Sequence, residues 1–389
     1  MSYIRLMSET KYMSEVFRIV AGALRLDVNK VRNYTAYLAE KLEEGGDAPA
    51  ANRLRKLLAE TDHQLQPAHV ATRTMPVDGE TRFPLLETVG YRNIEPELVL
   101  PQEQQDLVEE FISVAKSRAQ LEQEDVSTPL TLLVYGPPGC GKSRLARHIA
   151  NTLGLRLFVA RLDGLISSYL GSTAKNIRSV FEFGASTPCV LFLDEFDAIA
   201  KLRDDSHELG ELKRVVNSFL QNLDALGSES IVLAATNHPQ LLDAAVWRRF
   251  SYCLEMQLPT APARHKLWSL FLGRDVGETD REILTDLSEG LSGADIREVC
   301  LHLRRRTIAM RMEPTLKETF TNLLRIAGGS PNGAKLLRGL REMEPKRRAR
   351  TLRQRNATLY SSAHLASLLG KSKATAHRWT QKGASHKNA

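Results

Sequence analysis

The sequence predicts an α/β fold: a domain built on a parallel sheet, followed by a small helical domain and flanked by helical N- and C-terminal modules. Three observations carry this. From Leu130 onward, short apolar runs (LTLLVY, LRLFVA, VLFLD, IVLAAT) are separated by helical stretches, as buried parallel strands are by their covering helices. A glycine-rich segment joins the first of these runs directly to a helix. From about residue 262 to 340 helical periodicity replaces the strand pattern.

In chain order, residues 1–65 read as a helical docking module. Val16, Ile19, Val20 and Leu24, then Leu38, Leu42, Leu54, Leu57 and Leu58, recur at three- and four-residue spacings around a turn at EEGGDAPAAN, which predicts a helical hairpin. Residues 66–125 form a linker holding Pro67, Pro76, Pro84, Pro96 and Pro101, with a leading helix over 102–121. Residues 126–260 make the sheet domain, 261–340 the small helical lid domain, and 341–389 a basic tail.

A chain of 389 residues suits two or three domains, and 42% apolar with 25% charged residues excludes collagenous, disulfide-scaffold and fully disordered classes. No stretch approaches the roughly 20 consecutive apolar residues of a membrane span, and MSYIRLMSET lacks the apolar core of a secretory signal, so a cytoplasmic protein is expected. Cys140, Cys189, Cys253 and Cys300 stand singly, which predicts small, reduced, mostly buried side chains rather than a zinc site or a disulfide framework.

The run LTLLVY leads into Gly136-Pro137-Pro138-Gly139-Cys140-Gly141-Lys142-Ser143 and then the helix SRLARHIANTLG, the G-x-x-x-x-G-K-S pattern of a phosphate-loop NTPase in its strand–loop–helix context. Glycines let backbone N–H groups turn inward around phosphates, and the helix N-terminus, where Arg144 also lies, adds positive dipole. Lys142 is placed to reach the β- and γ-phosphates of ATP, and the Ser143 hydroxyl to ligate Mg²⁺. The run Val190–Leu193 ends in Asp194 and Glu195, where open α/β sheets bind their ligands. Asp194 is expected to hold Mg²⁺ through water, and Glu195 to polarise a water for attack on the γ-phosphate. The alternative for the two acids is a solvated strand end.

A third run, Ile231–Ala235, continues into Thr236-Asn237-His238-Pro239-Gln240-Leu241-Leu242-Asp243-Ala244-Ala245-Val246-Trp247-Arg248-Arg249-Phe250, and Gly293-Ala294-Asp295 follows. With GPPGCGKS and VLFLDEFDAIA, these motifs over about residues 125–330 resemble the AAA family of ATPases and its second region of homology. The resemblance implies that Asn237 contacts the γ-phosphate and orients the water beside Glu195. It implies that Arg248 and Arg249 are arginine fingers offered to a neighbouring subunit's ATP, a contribution of roughly 10³ to 10⁵ in rate in other nucleotide hydrolases. A ring homo-oligomer, a hexamer, is the consequence, since a lone subunit lacks half its site. Gly293 and Ala294 match the segment through which the lid domain senses nucleotide.

Ser167-Ser168-Tyr169-Leu170-Gly171-Ser172 resembles the pore loop of AAA unfoldases, which implies that Tyr169, supported by Leu170, grips an extended protein substrate. A core aromatic at a helix start is the alternative for Tyr169. KLRDDSHELGE, residues 201–211, is a candidate second pore loop. There is no H-E-x-x-H, so any protease would be a separate protein; the compact layout resembles single-ring ATPases encoded beside a subtilisin-like peptidase, and that resemblance implies such a peptidase as a partner.

The whole chain carries +7, but residues 338–389 hold thirteen Lys/Arg against Glu342 and Glu344; that tail is +11, which leaves −4 for the rest by difference. Such asymmetry points to an anionic partner. Residues 359–379 resemble a helix-turn-helix: Ala366 is small at the helix crossing, Gly370 makes the turn, Ser372 caps the second helix and Trp379 packs back, although Ala376 stands where a branched apolar residue is usual. A third helix could come only from 345–358. Lys371, Lys373, Thr375, His377 and Arg378 are the candidate DNA contacts. DNA binding, a helical protein-docking tail and a partly disordered basic tail all remain open at this point.

Overall fold

A computed structural model describes residues 12–24, 28–61, 75–79, 81–89, 97–126, 129–161, 170–198, 209–227, 230–272, 277–311, 315–326 and 334–381. It divides into two compact units: residues 1–93, 103–135 and 142–255 in the first, and 94–102, 136–141 and 256–389 in the second.

The first unit opens with three helices, α1 (Met13–Leu24), α2 (Val28–Glu44) and α3 (Ala48–Thr61), where a hairpin was expected. α1 ends at Leu24 and α2 begins at Val28, with buried positions Tyr34, Tyr37 and Leu38 that follow their own helical period. α1 packs on α2 with an inverted polarity. Its buried face carries Glu15, paired with Lys41 at 2.7 Å, while Met13, Val16, Phe17, Val20 and Leu24 are exposed.

The sheet of this unit has the strand order β1-β3-β4-β5-β2-β6, from β1 (Glu87–Val89), β2 (Leu130–Tyr135), β3 (Arg156–Arg161), β4 (Cys189–Asp194), β5 (Ile231–Thr236) and β6 (Tyr252–Glu255). All pairings are parallel except β1 with β3. The four expected strands are the central ones, almost wholly buried, which is why they read as unbroken apolar runs. β1 and β6 are short edge strands whose exposed positions leave no apolar run to detect.

Around the sheet lie α4 (Gln102–Lys116), α5 (Arg118–Gln123), α6 (Lys142–Leu153), α7 (Leu170–Ser186), α8 (Leu209–Asp224) and the single turn α9 (Ala244–Trp247). The helix expected over 102–121 is thus two, broken at Ser117. One apolar core joins β3, β4 and β5 to α7 and α8. The N-terminal helices are fastened to this body: Asn33 donates to the Ser186 carbonyl (3.0 Å), the Tyr37 hydroxyl donates to the Gly154 carbonyl, and Arg156 pairs with Glu40 (2.5 Å).

The second unit contains α10 (Ala261–Leu272), α11 (Glu278–Leu287), α12 (Gly293–Met310), α13 (Leu316–Ile326), α14 (Lys335–Glu342), α15 (Pro345–Arg355), α16 (Ser362–Leu369) and α17 (Lys373–Thr380). A continuous core runs from Leu267 and Trp268 through Leu323 and Leu340 to Tyr360, Leu365, Leu368 and Ala376. Residues 341–381 therefore share the core of the helices before them. Gly370 takes the left-handed conformation (φ 62°) after α16, and Ser372 caps α17 by accepting from the Thr375 amide at 3.2 Å. Ala376 is small because its position is fully buried against the neighbouring helices.

Of the cysteines, Cys189 and Cys300 are buried, Cys140 is half-buried, and Cys253 is exposed on the outer face of β6, against the expectation of mostly buried thiols. Burial pushes the Cys189 thiol up to about 12 and raises Cys300 further, so both stay protonated. Among the described residues no group of His, Cys, Asp and Glu is arranged to hold a metal on its own, and no helix is long and apolar enough to cross a membrane.

Candidate active site

The loop 136–141 follows β2, and its backbone is shaped by close approach. Gly136 (φ 140°) lies so near the Met256 carbonyl that a Cβ would sit 2.0 Å from its oxygen. Gly139 (φ 79°) faces Ser292, whose Oγ a Cβ would meet at 2.4 Å. Both positions exclude any residue with a side chain. The Gly139 carbonyl accepts from the Ala294 amide at 3.1 Å, so the second residue of α12 is tied to the loop. Asp295 acts locally as half of a capping box: Ser292 and Asp295 each accept from the other's amide, at 3.2 and 2.9 Å.

In the first unit, α6 begins at Lys142, a buried ammonium side chain at a helix N-terminus. Ser143 Oγ donates to Asp194 Oδ2 at 3.3 Å, bringing a hydroxyl and a carboxylate from two elements together. Both are hard oxygen donors of the kind Mg²⁺ selects, so this pair fits the expected metal.

Asp194 ends β4, and its Oδ1 accepts from the Glu195 amide at 3.0 Å. Glu195 itself has φ 56°, a left-handed backbone uncommon outside glycine. Its side chain is exposed, directly after a strand that is almost wholly buried. Asn237 comes directly after β5 and is half-buried. Two neighbours that sequence reasoning passed over join these strand ends. Asp197, 5% exposed, accepts from Thr236 Oγ1 at 3.1 Å, and the Phe196 amide donates to the Ala235 carbonyl at 2.8 Å. The D-E-x-D spacing was the only signal for Asp197.

The two arginines differ. Arg249 Nε pairs with Asp224 Oδ1 at 2.8 Å, and its Nη1 donates to the Ala245 carbonyl at 2.6 Å. Arg248 is exposed and has no ion-pair partner among the described residues. Their turn is held from several sides. Thr131 Oγ1 donates to the Arg249 carbonyl (3.0 Å) and accepts from the Ser251 amide (2.9 Å). Trp247 stands edge-on to Tyr135 with centroids 5.0 Å apart, and Phe250 edge-on to Phe196 at 5.7 Å.

Leu170 opens α7, while Tyr169, with the whole segment 162–169, and residues 199–208 lie outside the described residues. On and just before α17, Lys371, Lys373, His377 and Arg378 are exposed and Thr375 is half-buried. Four other tail arginines are occupied internally. Arg348 donates to the Leu340 and Arg341 carbonyls, Arg350 to that of Trp379, Arg353 to those of Ala357 and Tyr360, and Arg355 pairs with Asp286 and Glu289.

A parallel sheet with a G-x-x-x-x-G-K-S loop between its strand β2 and a helix, and a carboxylate at the end of β4, one strand removed across β5, that accepts from the motif's serine, define a phosphate-loop NTPase. The family model for the ATPase family associated with various cellular activities (AAA) matches residues 132–258. An uncharacterized AAA family ATPase, y4kL, of Sinorhizobium fredii is 34% identical over 74% of this chain and 87% of its own length. The chain belongs to the AAA family. It is also similar to the Arabidopsis thaliana protein SUPPRESSOR OF K(+) TRANSPORT GROWTH DEFECT 1, at 30% identity over 69% of this chain and 66% of that protein. A 26S proteasome regulatory subunit, S10B homolog B, of the same plant is 31% identical over 51% of this chain and 52% of its own length.

Proposed function

We propose that this chain is a Mg²⁺-dependent ATPase that assembles as a ring, most simply a hexamer, and uses hydrolysis to remodel a protein partner drawn past Tyr169. The observation that carries it is the arrangement after β4 and β5: Ser143 and Asp194 in contact, Glu195 exposed directly after Asp194, and Arg248 exposed on a turn held by Thr131. Bound Mg²⁺ neutralises phosphate charge. The loop from Gly136 to Gly141 donates backbone N–H groups to the phosphates, Lys142 adds charge at the β- and γ-phosphates, and Ser143 and Asp194 hold the metal. Glu195 takes the proton of the attacking water, which Asn237 orients. Arg248 reaches the ATP of a neighbouring subunit, whereas Arg249 stays within its own subunit and stiffens the turn. A relative named as a proteasome regulatory subunit supports a protein substrate.

The apolar stripe of α1 (Met13, Phe17, Val20, Leu24) supports partner docking through the N-terminal helices. Glu195→Gln is expected to bind ATP, fail to hydrolyse it and retain its partner, so recovering this variant from cells with and without nuclease identifies what it grips. Loss of all retained protein, or undiminished partner remodelling by Tyr169→Ala, would contradict the threading role.

The exposed bases of α17 favour one second reading, a DNA-bound ATPase switch. It requires affinity for DNA that falls steeply with salt and that disappears when Lys371, Lys373 and Arg378 are replaced by Ala. Salt-independent binding, or binding undiminished in that triple variant, would remove it.

A further inference from the structure

Glu195 and Asn237 directly follow two different strands, β4 and β5, and their separation must hold to a fraction of an ångström if one is to deprotonate the water the other orients. Neither residue sets that distance alone. Glu195 sits in a left-handed turn (φ 56°), closed by the Ala198 amide donating to the Glu195 carbonyl at 2.9 Å. Two residues on, Asp197 is turned inward, 5% exposed, onto the hydroxyl of Thr236, which is fully buried. That hydroxyl works in both directions, donating to Asp197 Oδ1 at 3.1 Å and accepting from the His238 amide at 2.9 Å. His238 and Thr236 flank Asn237, so one hydroxyl fixes the backbone on both sides of Asn237 and ties it to the turn that carries Glu195. The Phe196 amide on the Ala235 carbonyl (2.8 Å) adds a second rung, and the Phe196 ring is seated between Phe219 and Phe250, at 5.2 and 5.7 Å.

We propose that Asp197 and Thr236 are a positioning pair that sets the distance between the catalytic base and the water-orienting asparagine. Neither residue is among those proposed to hold nucleotide or metal; the pair acts through Glu195 and Asn237, so this inference rests on the roles proposed for those two. Apolar packing alone would hold the strands together. What it would not do is fix the rotation of the Asn237 peptide, which a donor and an acceptor on one hydroxyl do.

The test is steady-state ATP hydrolysis and ATP binding by the full chain, in single and combined variants. Thr236→Val keeps the side-chain shape and removes both hydrogen bonds. It is expected to lower kcat by about 10- to 100-fold, the scale of a 1 Å misplacement, with KM and ATP affinity changed less than about threefold, as positioning rather than binding requires. Thr236→Ser restores most of the rate. Asp197→Ala behaves as Thr236→Val does, while Asp197→Asn, which keeps an acceptor oxygen, loses less; should Asp197→Ala fail to fold, the Thr236 variants carry the test. The decisive comparison is made in an Asn237→Ala background, where Thr236→Val should cost little more, because the residue it positions is gone. A full multiplicative loss in that background, or a raised KM with kcat unchanged, would overturn the proposal. Undiminished hydrolysis by Glu195→Gln would instead remove the base it serves, and the two failures are told apart because only the second appears in the Glu195 variant.

Discussion

The strand ends of the first unit and the last three helices of the second treat charge in opposite ways. Around Asp194, Glu195 and Arg248 the backbone is immobilised by buried partners, while Glu195 and Arg248 themselves are left exposed. In α15 to α17 the reverse holds: Arg348, Arg350, Arg353 and Arg355 are bound to helix-end carbonyls or to Asp286 and Glu289. The Tyr360 hydroxyl donates to the same Asp286 at 2.6 Å from a fully buried ring. A count of positive charge therefore misleads about function. A tail of +11 spends several of its guanidiniums on its own fold, whereas Arg248 stands exposed with no ion-pair partner among the described residues.

The largest effects that would sharpen this contrast are catalytic. Arg248→Ala and Glu195→Gln are each expected to lower ATP hydrolysis by about 10² to 10³ or more without unfolding the chain, measured by phosphate release beside thermal melting. Arg249→Ala should differ in kind, costing stability as well as rate, because it empties an ion pair and an acceptor on the Ala245 carbonyl. Asp224→Asn should reproduce only a few-fold part of the loss in rate, since that pair is partly exposed. Equal losses for Arg248→Ala and Asp224→Asn would break the distinction between the two arginines.

In the second unit the expected effects are on stability. Tyr360→Ala should destabilise by about 3–5 kcal/mol, as for other large buried rings, and Tyr360→Phe by about 0.5–1.5 kcal/mol, the net worth of one hydrogen bond to a carboxylate that Arg355 still pairs. Burial and the bond to Asp286 hold the Tyr360 phenol well above its ordinary value. Its neutral form is thus favoured in the folded state, so this contribution is complete below about pH 10 and is lost as pH rises beyond it. Denaturant melts between pH 8 and 11 should show that decline in the native chain and less of it in Tyr360→Phe.

The smallest effects compare single bases. Arg353→Ala, which strips a donor from the Ala357 and Tyr360 carbonyls, should cost about 1 kcal/mol, whereas Lys371→Ala, Lys373→Ala or Arg378→Ala should each stay within about 0.5 kcal/mol. A stability loss at Lys373 as large as that at Arg353 would erase the division between structural and available charge.

How much of this was legible in the sequence follows the same physics. The central strands, the G-x-x-x-x-G-K-S loop and the paired acids were readable because burial on both faces and phosphate chemistry each demand residue types at a fixed spacing. The edge strands β1 and β6 were not, being short and half-exposed. Nor was the division into α1 and α2, for the two share a helical period with opposite polarity toward the core. Ala376 read as a weakness of a helix-turn-helix, yet it is small because α15 and α16 crowd it, a reason that exists only in three dimensions. The same is true of Arg249: the pair Arg248-Arg249 looks uniform along the chain and divides only where Asp224, 25 positions earlier, arrives beside one of them.

The central claim, that a complete hydrolytic site needs Glu195 from one subunit and Arg248 from another, is tested most directly by mixing two inactive variants. Glu195→Gln subunits keep Arg248 but lack a base; Arg248→Ala subunits keep the base but offer no arginine. Co-assembled, with mixing verified by a tag on one variant, they should recover ATP hydrolysis, because each Arg248→Ala site beside a Glu195→Gln neighbour is whole. Co-assembly with no recovered hydrolysis would contradict action across the interface, as would Arg248→Ala subunits that hydrolyse ATP at the native rate alone.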